Sequence, residues 1–407
     1  SGTDNFIFSG DGLVSRIEGR GALADNLLNI ENTAEPLLIS LDLSNQGADV
    51  RVSGVGSLVG NRDINHRLQG EDRSNTWAID GQDSGSLNGD IRFTGFVDLL
   101  GNSETDRFEL HGIGAVSGAI DGAGDEDTLD LFELADDRKL KLAVESPSSE
   151  GVPTADLQVF NIDTLAAPTA AGHTLSGRAD ENLWVLDGEN RGTLGDLDFT
   201  GVANLIGGNG TDIVEFLSGG SLQGYIDGRD GDNTVDMSEV NRLVAVTVGE
   251  ARGDLRNITH FIGNNTETTL TSLHADNSWR LDRGENAGTL NTRLSFEGVT
   301  DLIGGEGVDT FRLDGGGVTG LIDGASGNDQ FLMNLPTGVE GNQRLSGGAG
   351  NDELRVSGGD ADYQVTYSPR TGGEEQLRYT AGNGNVFGVE FSQLAQVQDN
   401  VLANVLT

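Results

Sequence analysis

The chain has 407 residues, and its 65 acidic and 25 basic side chains give a formal net charge of −40. A surface this negative excludes nucleic acids and acidic membrane surfaces as partners, and the lack of Cys excludes disulfide frameworks and thiolate metal sites. No apolar run approaches the roughly 20 residues that span a bilayer, so we expect no direct membrane insertion of this segment.

The N-terminal segment already belongs to a repeat. SGTDNFIFSGDG at 1–12 matches NGTDIVEFLSGG at 209–220, so the chain starts in the middle of a repeat unit. It begins at Ser1 with neither an initiator Met nor a signal peptide. We therefore expect a mature product or a piece cut from something longer.

Three Trp segments follow along the chain. Each precedes, by about 20 residues, an F-x-G-V-x-x-L-I-G-G type motif, which starts at Phe93, Phe199 or Phe296. Each motif is followed by an acidic Gly turn. The Trp residues are Trp77, Trp184 and Trp279, and the turns end in Asp106, Asp212 and Asp309. Both series advance by about 100 residues, which predicts a true long repeat.

The repeats predict one continuous body over 1–407. Its units span approximately 1–70 (partial), 71–175, 176–270, 271–360 and 361–407, the last being degenerate because it lacks the Trp.

A shorter period lies inside the long one. Acidic turns recur about every 20 residues between short runs of alternating apolar residues, which read as strands joined by tight corners. Such strands bury their apolar faces only when coils stack. We therefore predict an all-β, elongated, right-handed parallel β-helix (β-solenoid) with coils of about 20 residues. Loops are expected at 146–155 and 165–175.

Glycine–aspartate turns are the first candidate site. GGNGTDIVE (207–215), GGEGVDTFR (304–312) and GGAGNDELR (347–355) fit the repeat-in-toxin nonapeptide, and GASGNDQFL (324–332) fits less one Gly. In that family the Asp carboxylate and backbone carbonyls ligate Ca²⁺. The possible calcium ligands here are Asp212, Asp309, Asp329 and Asp352. The alternative, which the 20-residue spacing favours, is an Asn/Asp/Gly turn ladder that needs no metal.

Two further patterns each have a functional interpretation and an alternative one in which they have no binding role. The recurring Trp77, Trp184 and Trp279 could stack sugars, but the apolar residue two positions later favours a core role. Arg252-Gly253-Asp254 is an integrin-type tripeptide, although it is not repeated in the other units and one occurrence by chance is expected in a chain so rich in Gly and Asp.

The sequence offers no catalytic signature. The five His residues show no ligand spacing, and there is no G-x-S-x-G, phosphate-binding loop or Walker-type Lys. We therefore expect no enzyme activity and no cofactor other than possible Ca²⁺. Some parallel β-helices are polysaccharide lyases or epimerases, so a calcium-binding module of such an extracellular enzyme remains an alternative.

Units of the form FxGVxxLIGGxGxDxF resemble the stalk repeats of large secreted bacterial β-helical adhesins of the two-partner-secretion type, which build biofilm matrix. The resemblance covers nearly the whole chain, and it rests on repeat style, acidic Cys-free composition and the Arg-Gly-Asp tripeptide. It implies a stalk that is exported unfolded and located at the bacterial cell surface or in the extracellular matrix. It also implies cell–cell aggregation, with matrix exopolysaccharide or other copies of the same adhesin as partners.

Overall fold

The computed structural model describes residues 3–9, 14–20, 22–135, 138–144, 156–249, 252–335, 341–358, 363–369, 374–382, 384–401 and 403–406. The chain divides into two compact units, Ser1–Gly208 with Ser221–Gly224, and Asn209–Gly220 with Tyr225–Thr407. The continuous body over 1–407 and its unit boundaries stay predictions. The loop expected at 146–155 lies outside the described residues.

The first unit contains two short 3-10 turns, Leu23–Asp25 and Arg62–Ile64, and twenty-two described strands. The strands are β1 (Asn5–Ser9), β2 (Arg16–Glu18), β3 (Leu27–Asn32), β4 (Leu38–Ser40), β5 (Val50–Ser53), β6 (Ser57–Val59), β7 (Arg67–Gln69), β8 (Thr76–Gly81), β9 (Ser84–Leu87), β10 (Ile91–Thr94), β11 (Asp98–Asn102), β12 (Arg107–Leu110), β13 (Ala119–Ala123), β14 (Thr128–Asp130), β15 (Lys141–Val144), β16 (Leu157–Phe160), β17 (Thr164–Ala166), β18 (His173–Ser176), β19 (Asn182–Gly188), β20 (Arg191–Leu194), β21 (Leu197–Thr200) and β22 (Val202–Ile206).

The second unit contains twenty-one described strands. They are β23 (Asp212–Phe216), β24 (Ile226–Asp227), β25 (Thr234–Asp236), β26 (Val244–Val248), β27 (Leu255–Arg256), β28 (His260–Ile262), β29 (Thr268–Ser272), β30 (Asn277–Leu281), β31 (Gly288–Leu290), β32 (Leu294–Glu297), β33 (Asp301–Glu306), β34 (Asp309–Asp314), β35 (Leu321–Ser326), β36 (Gln330–Leu335), β37 (Gly341–Ser346), β38 (Glu353–Gly358), β39 (Tyr363–Pro369), β40 (Glu375–Thr380), β41 (Val386–Ser392), β42 (Gln396–Asp399) and β43 (Ala403–Leu406).

Each unit builds two ladders of mostly parallel strands, because the chain passes from one sheet to the other and returns one coil further on. In the second unit, β34, β36 and β38 pair in parallel in one sheet, while β33, β35 and β37 pair in parallel in the other. The described residues contain no α-helix, and none of their helical segments is long and apolar enough to cross a bilayer. The predicted all-β parallel solenoid is confirmed.

The Trp segments interrupt the parallel order in the same way each time. In the first unit, β8, β9 and β10 form an antiparallel meander, so β10 pairs back with β6 while β8 pairs onward with β12. The same meander recurs in β19–β21 and in β30–β32. The degenerate sequence repeat near the C-terminus, 361–407, also contains a meander, β39–β41, but in the other sheet.

Coil length therefore varies. Simple coils match the predicted period, because bonded turn residues such as Asp309 and Asp329 lie 20 positions apart. Coils that contain a meander are longer, with 31 positions between Asn75 and Asp106. The loop expected at 165–175 is wrong in part, because its ends form β17 and β18 and only the turn between them is irregular.

Aromatic residues fill the core beside each meander. Trp77 stacks on Phe108 with 5.6 Å between ring centroids and 11° between planes, and Trp279 stacks on Phe311 at 5.8 Å and 10°. Phe331 continues the second stack at 5.2 Å. Parallel strands in register place like residues one above another, so the repeat itself produces these columns.

Candidate functional site: buried ladders at the acidic turns

The acidic turns carry carboxylates that point into the protein and not toward solvent. Asp212, Asp309, Asp329 and Asp352 are all at most 2% exposed. The Asp309 amide N–H donates to Oδ1 of Asp329 at 2.8 Å, and the Asp329 N–H donates to Oδ1 of Asp352 at 2.8 Å. Each carboxylate thus holds the turn of the preceding coil.

Glycine is required beneath these carboxylates. A Cβ on Gly324 would overlap Oδ2 of Asp329 and would lie 2.7 Å from the carbonyl oxygen of Gly347. The same five-residue spacing places Gly304 under Asp309 and Gly347 under Asp352. This requirement accounts for the first glycine of the nonapeptide pattern without reference to a metal.

The first unit has an equivalent ladder that the nonapeptide pattern did not predict. The Asp106 N–H donates to Oδ1 of Asp127 at 2.7 Å, and the Asp127 N–H donates to Oδ2 of Asp163 at 2.8 Å. The Asn75 side chain donates to Oδ1 of Asp106 at 2.8 Å. In the second unit Asn277 donates to Oδ1 of Asp309 at 2.6 Å, so the Asn two residues before Trp caps both ladders.

Burial disfavours the ionised form of four carboxyl groups in these ladders, those of Asp106, Asp127, Asp309 and Asp329. It raises the pKa of Asp127 to about 7, and the neighbouring Asp106 and Asp163 charges add to the effect against an opposing amide hydrogen bond. Burial likewise raises the pKa of Asp329 to about 6. The pKa values of Asp106 and Asp309 are also raised, mainly by burial.

The geometry bears on the calcium alternative. The oxygens Oδ1 of Asp329 and Asp352 accept amide N–H groups, which is the arrangement of a ladder that needs no metal. In the described part of the chain, no three His, Cys, Asp or Glu side chains group in a way that could hold a metal ion. The oxygens Oδ2 of Asp309, Asp329 and Asp352 are nevertheless buried without a hydrogen-bond partner. Calcium binding at these turns stays a prediction.

A second buried ladder, which the sequence patterns did not predict, lies at the meander turns. Asp83, Asn190 and Asn286 have φ between 52° and 58° and are at most 1% exposed. Their side-chain oxygens accept the N–H groups of Ser117, Gln223 and Thr319 at 2.7–3.0 Å. The sequence signal for this ladder is an Asp or Asn that recurs six or seven residues after each Trp.

Two of the histidines also occupy a repeated position, eleven residues before Trp77 and Trp184. His66 Nδ1 accepts the Leu37 N–H at 3.1 Å, and His173 Nδ1 accepts the Leu140 N–H at 3.0 Å. Burial lowers the pKa of both, that of His173 to about 4 with a contribution from Lys139, so these rings are neutral structural acceptors. In the third repeat Thr268 takes the position.

The three Trp rings are 0–1% exposed, so no sugar stacks on them in this fold. In the integrin-type tripeptide, Arg252 is exposed and Gly253 is buried. Oδ2 of Asp254 accepts the N–H and the hydroxyl of Thr247 at 3.0 and 2.9 Å. The Asp of the tripeptide is therefore held against its own sheet.

One surface group has the composition of a hydrolase triad. His260 Nδ1 lies 2.7 Å from Ser295 Oγ, and its Nε2 lies 3.5 Å from Glu297 Oε1. The Ser295 hydroxyl also lies 3.1 Å from the carbonyl oxygen of Thr259, to which it can donate. The group reads as a surface hydrogen-bond network.

No protein-family model matches this sequence, and no curated protein matches it either.

Proposed function

We propose that this chain is a structural stalk or repeat region of a secreted bacterial adhesin, located at the cell surface or in the biofilm matrix. It would have no enzymatic role and would mediate cell–cell aggregation and exopolysaccharide attachment. The observation that carries the proposal is the contrast between buried and outward positions of the repeats. The Trp position and the meander-turn Asx position are filled alike in all three repeats and buried in each.

Outward positions, in contrast, differ between repeats. Equivalent positions hold Ile113, Gly219 and Gly315, and another set holds Arg92, Asp198 and Ser295. A repeat whose interior is constant and whose surface varies suits a spacer that presents many weak contacts along its length.

The net charge of the chain favours one class of exopolysaccharide as the proposed ligand. With a net charge of −40, the chain repels polyanions at low ionic strength, so a neutral exopolysaccharide is the better candidate than a uronic acid polymer. Multivalent contact would compensate for weak individual sites.

The test uses the folded full chain coupled to beads. We expect the beads to retain a neutral bacterial exopolysaccharide and to aggregate in its presence, while beads carrying the heat-unfolded chain do neither. If folded and unfolded chains retain the same amount of polymer, the adhesin proposal is wrong.

The second candidate is a calcium-binding module of an extracellular polysaccharide-modifying lyase or epimerase. The unpartnered buried Oδ2 atoms of Asp309, Asp329 and Asp352 favour it, since a cation would satisfy them. Thermal unfolding in EGTA and in millimolar Ca²⁺ tests the metal, and equal melting temperatures would remove calcium from both proposals. Turnover of acidic polysaccharides would favour the enzyme over the stalk.

A further inference from the structure

An exposed apolar surface in the first unit has no counterpart in the other repeats. Ile113 is 74% exposed and Phe132 is 57% exposed, whereas the next repeat has Gly219 and Ser238 at these positions. The turns that carry them are stacked, because the Gly112 N–H donates to the Glu133 carbonyl at 2.8 Å and the Ala135 N–H donates to the Gly112 carbonyl at 3.0 Å. Exposed apolar groups clustered in this way mark binding sites more often than single ones do.

Beside Phe132 the surface opens into a pocket of about 240 Å³. Its walls are almost entirely aliphatic, formed by Leu131, Leu134, Ala135, Pro168, Ala170 and Ala171. A cavity of about 150 Å³ accommodates benzene, so this pocket has room for one aliphatic chain of about eight carbons or one aromatic ring.

The same pocket is bordered by the one concentration of positive charge in the sequence. Arg138 lines it, and Lys139 and Lys141, the only two Lys of the chain, follow directly. The Lys139 Nζ lies 3.4 Å from where a Cβ on Gly172 would stand, beside Ala171 at the pocket wall. Asp136 and Asp137 precede Arg138 in the chain and lie outside the described residues.

The other polar side chain that lines the pocket, His173, already accepts a hydrogen bond within the protein. His173 is 1% exposed, and its Nδ1 accepts the Leu140 N–H at 3.0 Å. Arg138 Nη1 donates to the Gly114 carbonyl at 2.7 Å, so a ligand would meet apolar walls together with the other N–H groups of Arg138 and the exposed Lys139 nearby. This combination suits an apolar group that ends in an anion.

We propose that this pocket binds a small amphiphilic carboxylate, with its apolar chain among the aliphatic walls and its carboxylate against Arg138 and Lys139. In a protein of net charge −40, an anionic ligand is repelled over most of the surface. The cationic side chains around this pocket would attract an anionic ligand to this location. The proposal is independent of the adhesin function, because it concerns a surface that only one repeat carries.

The experiment measures binding of sodium octanoate to the full chain by ligand-observed NMR and calorimetry, with 1-octanol as the uncharged control probe. We expect saturable octanoate binding with Kd in the millimolar range or below. We also expect nuclear Overhauser contacts from the octanoate methylene groups to the methyl groups of Ala170 and Ala171. Absence of saturable binding of either probe overturns the proposal and leaves the pocket to a protein partner.

Two variants separate the walls from the charge. Phe132→Ser, which introduces the residue of the next repeat, should weaken both probes about tenfold, whereas Leu243→Ser, at another exposed apolar position, should weaken neither. Lys139→Gln should weaken octanoate severalfold and leave octanol unchanged. Equal loss of both probes in Lys139→Gln, or unchanged octanoate binding in Phe132→Ser, would show that binding occurs elsewhere or without the cations.

Discussion

Asp127 offers the sharpest test of the acidic ladder, through replacement by Asn. Asp127 is 1% exposed, and its Oδ1 accepts the Asp106 N–H while its Oδ2 has no partner. The second unit shows what Asn does in the equivalent place. Asn233 accepts the Asp212 N–H with Oδ1 at 3.0 Å and donates from Nδ2 to the carbonyl of Asn257 at 3.0 Å.

The magnitude follows from the pKa. The folded pKa of Asp127 is about 7 against 3.8 for the free side chain, so the unfolded chain loses its proton first as the pH rises. The fold is therefore fully stable, in this respect, below pH 3.8, and it loses stability between there and about pH 7. One pKa unit corresponds to about 1.4 kcal/mol, which puts the loss at about 2–4 kcal/mol above pH 7.

Asp127→Asn removes this titration and supplies a donor toward the carbonyl of Asn161, the counterpart of Asn257. We expect the variant to be about 2–4 kcal/mol more stable than the parent at pH 8 and nearly equal to it at pH 4. Hydrogen exchange in the peptide that contains β12 and β14, corrected for intrinsic rates at each pH, measures the local opening free energy. Asn233→Asp is the matched control and should lose stability in the second unit over the same pH range.

Two results would refute the reasoning. One is an Asp127→Asn variant with lower protection than the parent at pH 8, since the Oδ2 atom would then have had a favourable role. The other is a gain of equal size at both pH values, since the effect would then have no connection with ionisation.

Three further predictions concern the core and the other ladders. Trp279→Ala should cost about 3–5 kcal/mol in denaturant unfolding. Trp279→Phe should cost only about 1–2 kcal/mol, because Phe keeps a ring against Phe311 and the lost Nε1 has no hydrogen-bond partner; equal losses would contradict the role given to ring packing. Gly324→Ala should lower the free energy of unfolding by about 1–3 kcal/mol, because its Cβ would overlap Asp329. In the control Gly124→Ala the Cβ would meet nothing closer than 3.7 Å, so the free energy of unfolding should change by no more than about 0.5 kcal/mol. Equal effects would contradict the role given to glycine. The folded pKa of His173 is about 4 against 6.5 for the free side chain, so its contribution to stability is full above pH 6.5 and is lost as the pH falls toward 4. His173→Thr should remove this pH dependence of the unfolding free energy. A variant that keeps the acid sensitivity of the parent would refute the prediction.

Sequence periodicity alone determined the fold class. Alternating apolar residues between recurring Gly and Asp corners bury their apolar face only by stacking, and the spacings of Trp77, Trp184 and Trp279 revealed the long repeat. The glycine–aspartate pattern located the buried turns of the second unit at Asp309, Asp329 and Asp352.

Only the tertiary structure decided what the turn residues contact. The bond from the Asp309 N–H to Asp329 joins neighbouring coils, and its direction follows from strand register, which no local pattern contains. The meander at each Trp segment reverses the strand order, so partners such as Trp77 and Phe108 come from non-adjacent segments. Exposure of Phe132 beside an apolar pocket likewise depends on which turns stack, because a side chain's neighbours across a sheet are set by folding and not by sequence proximity.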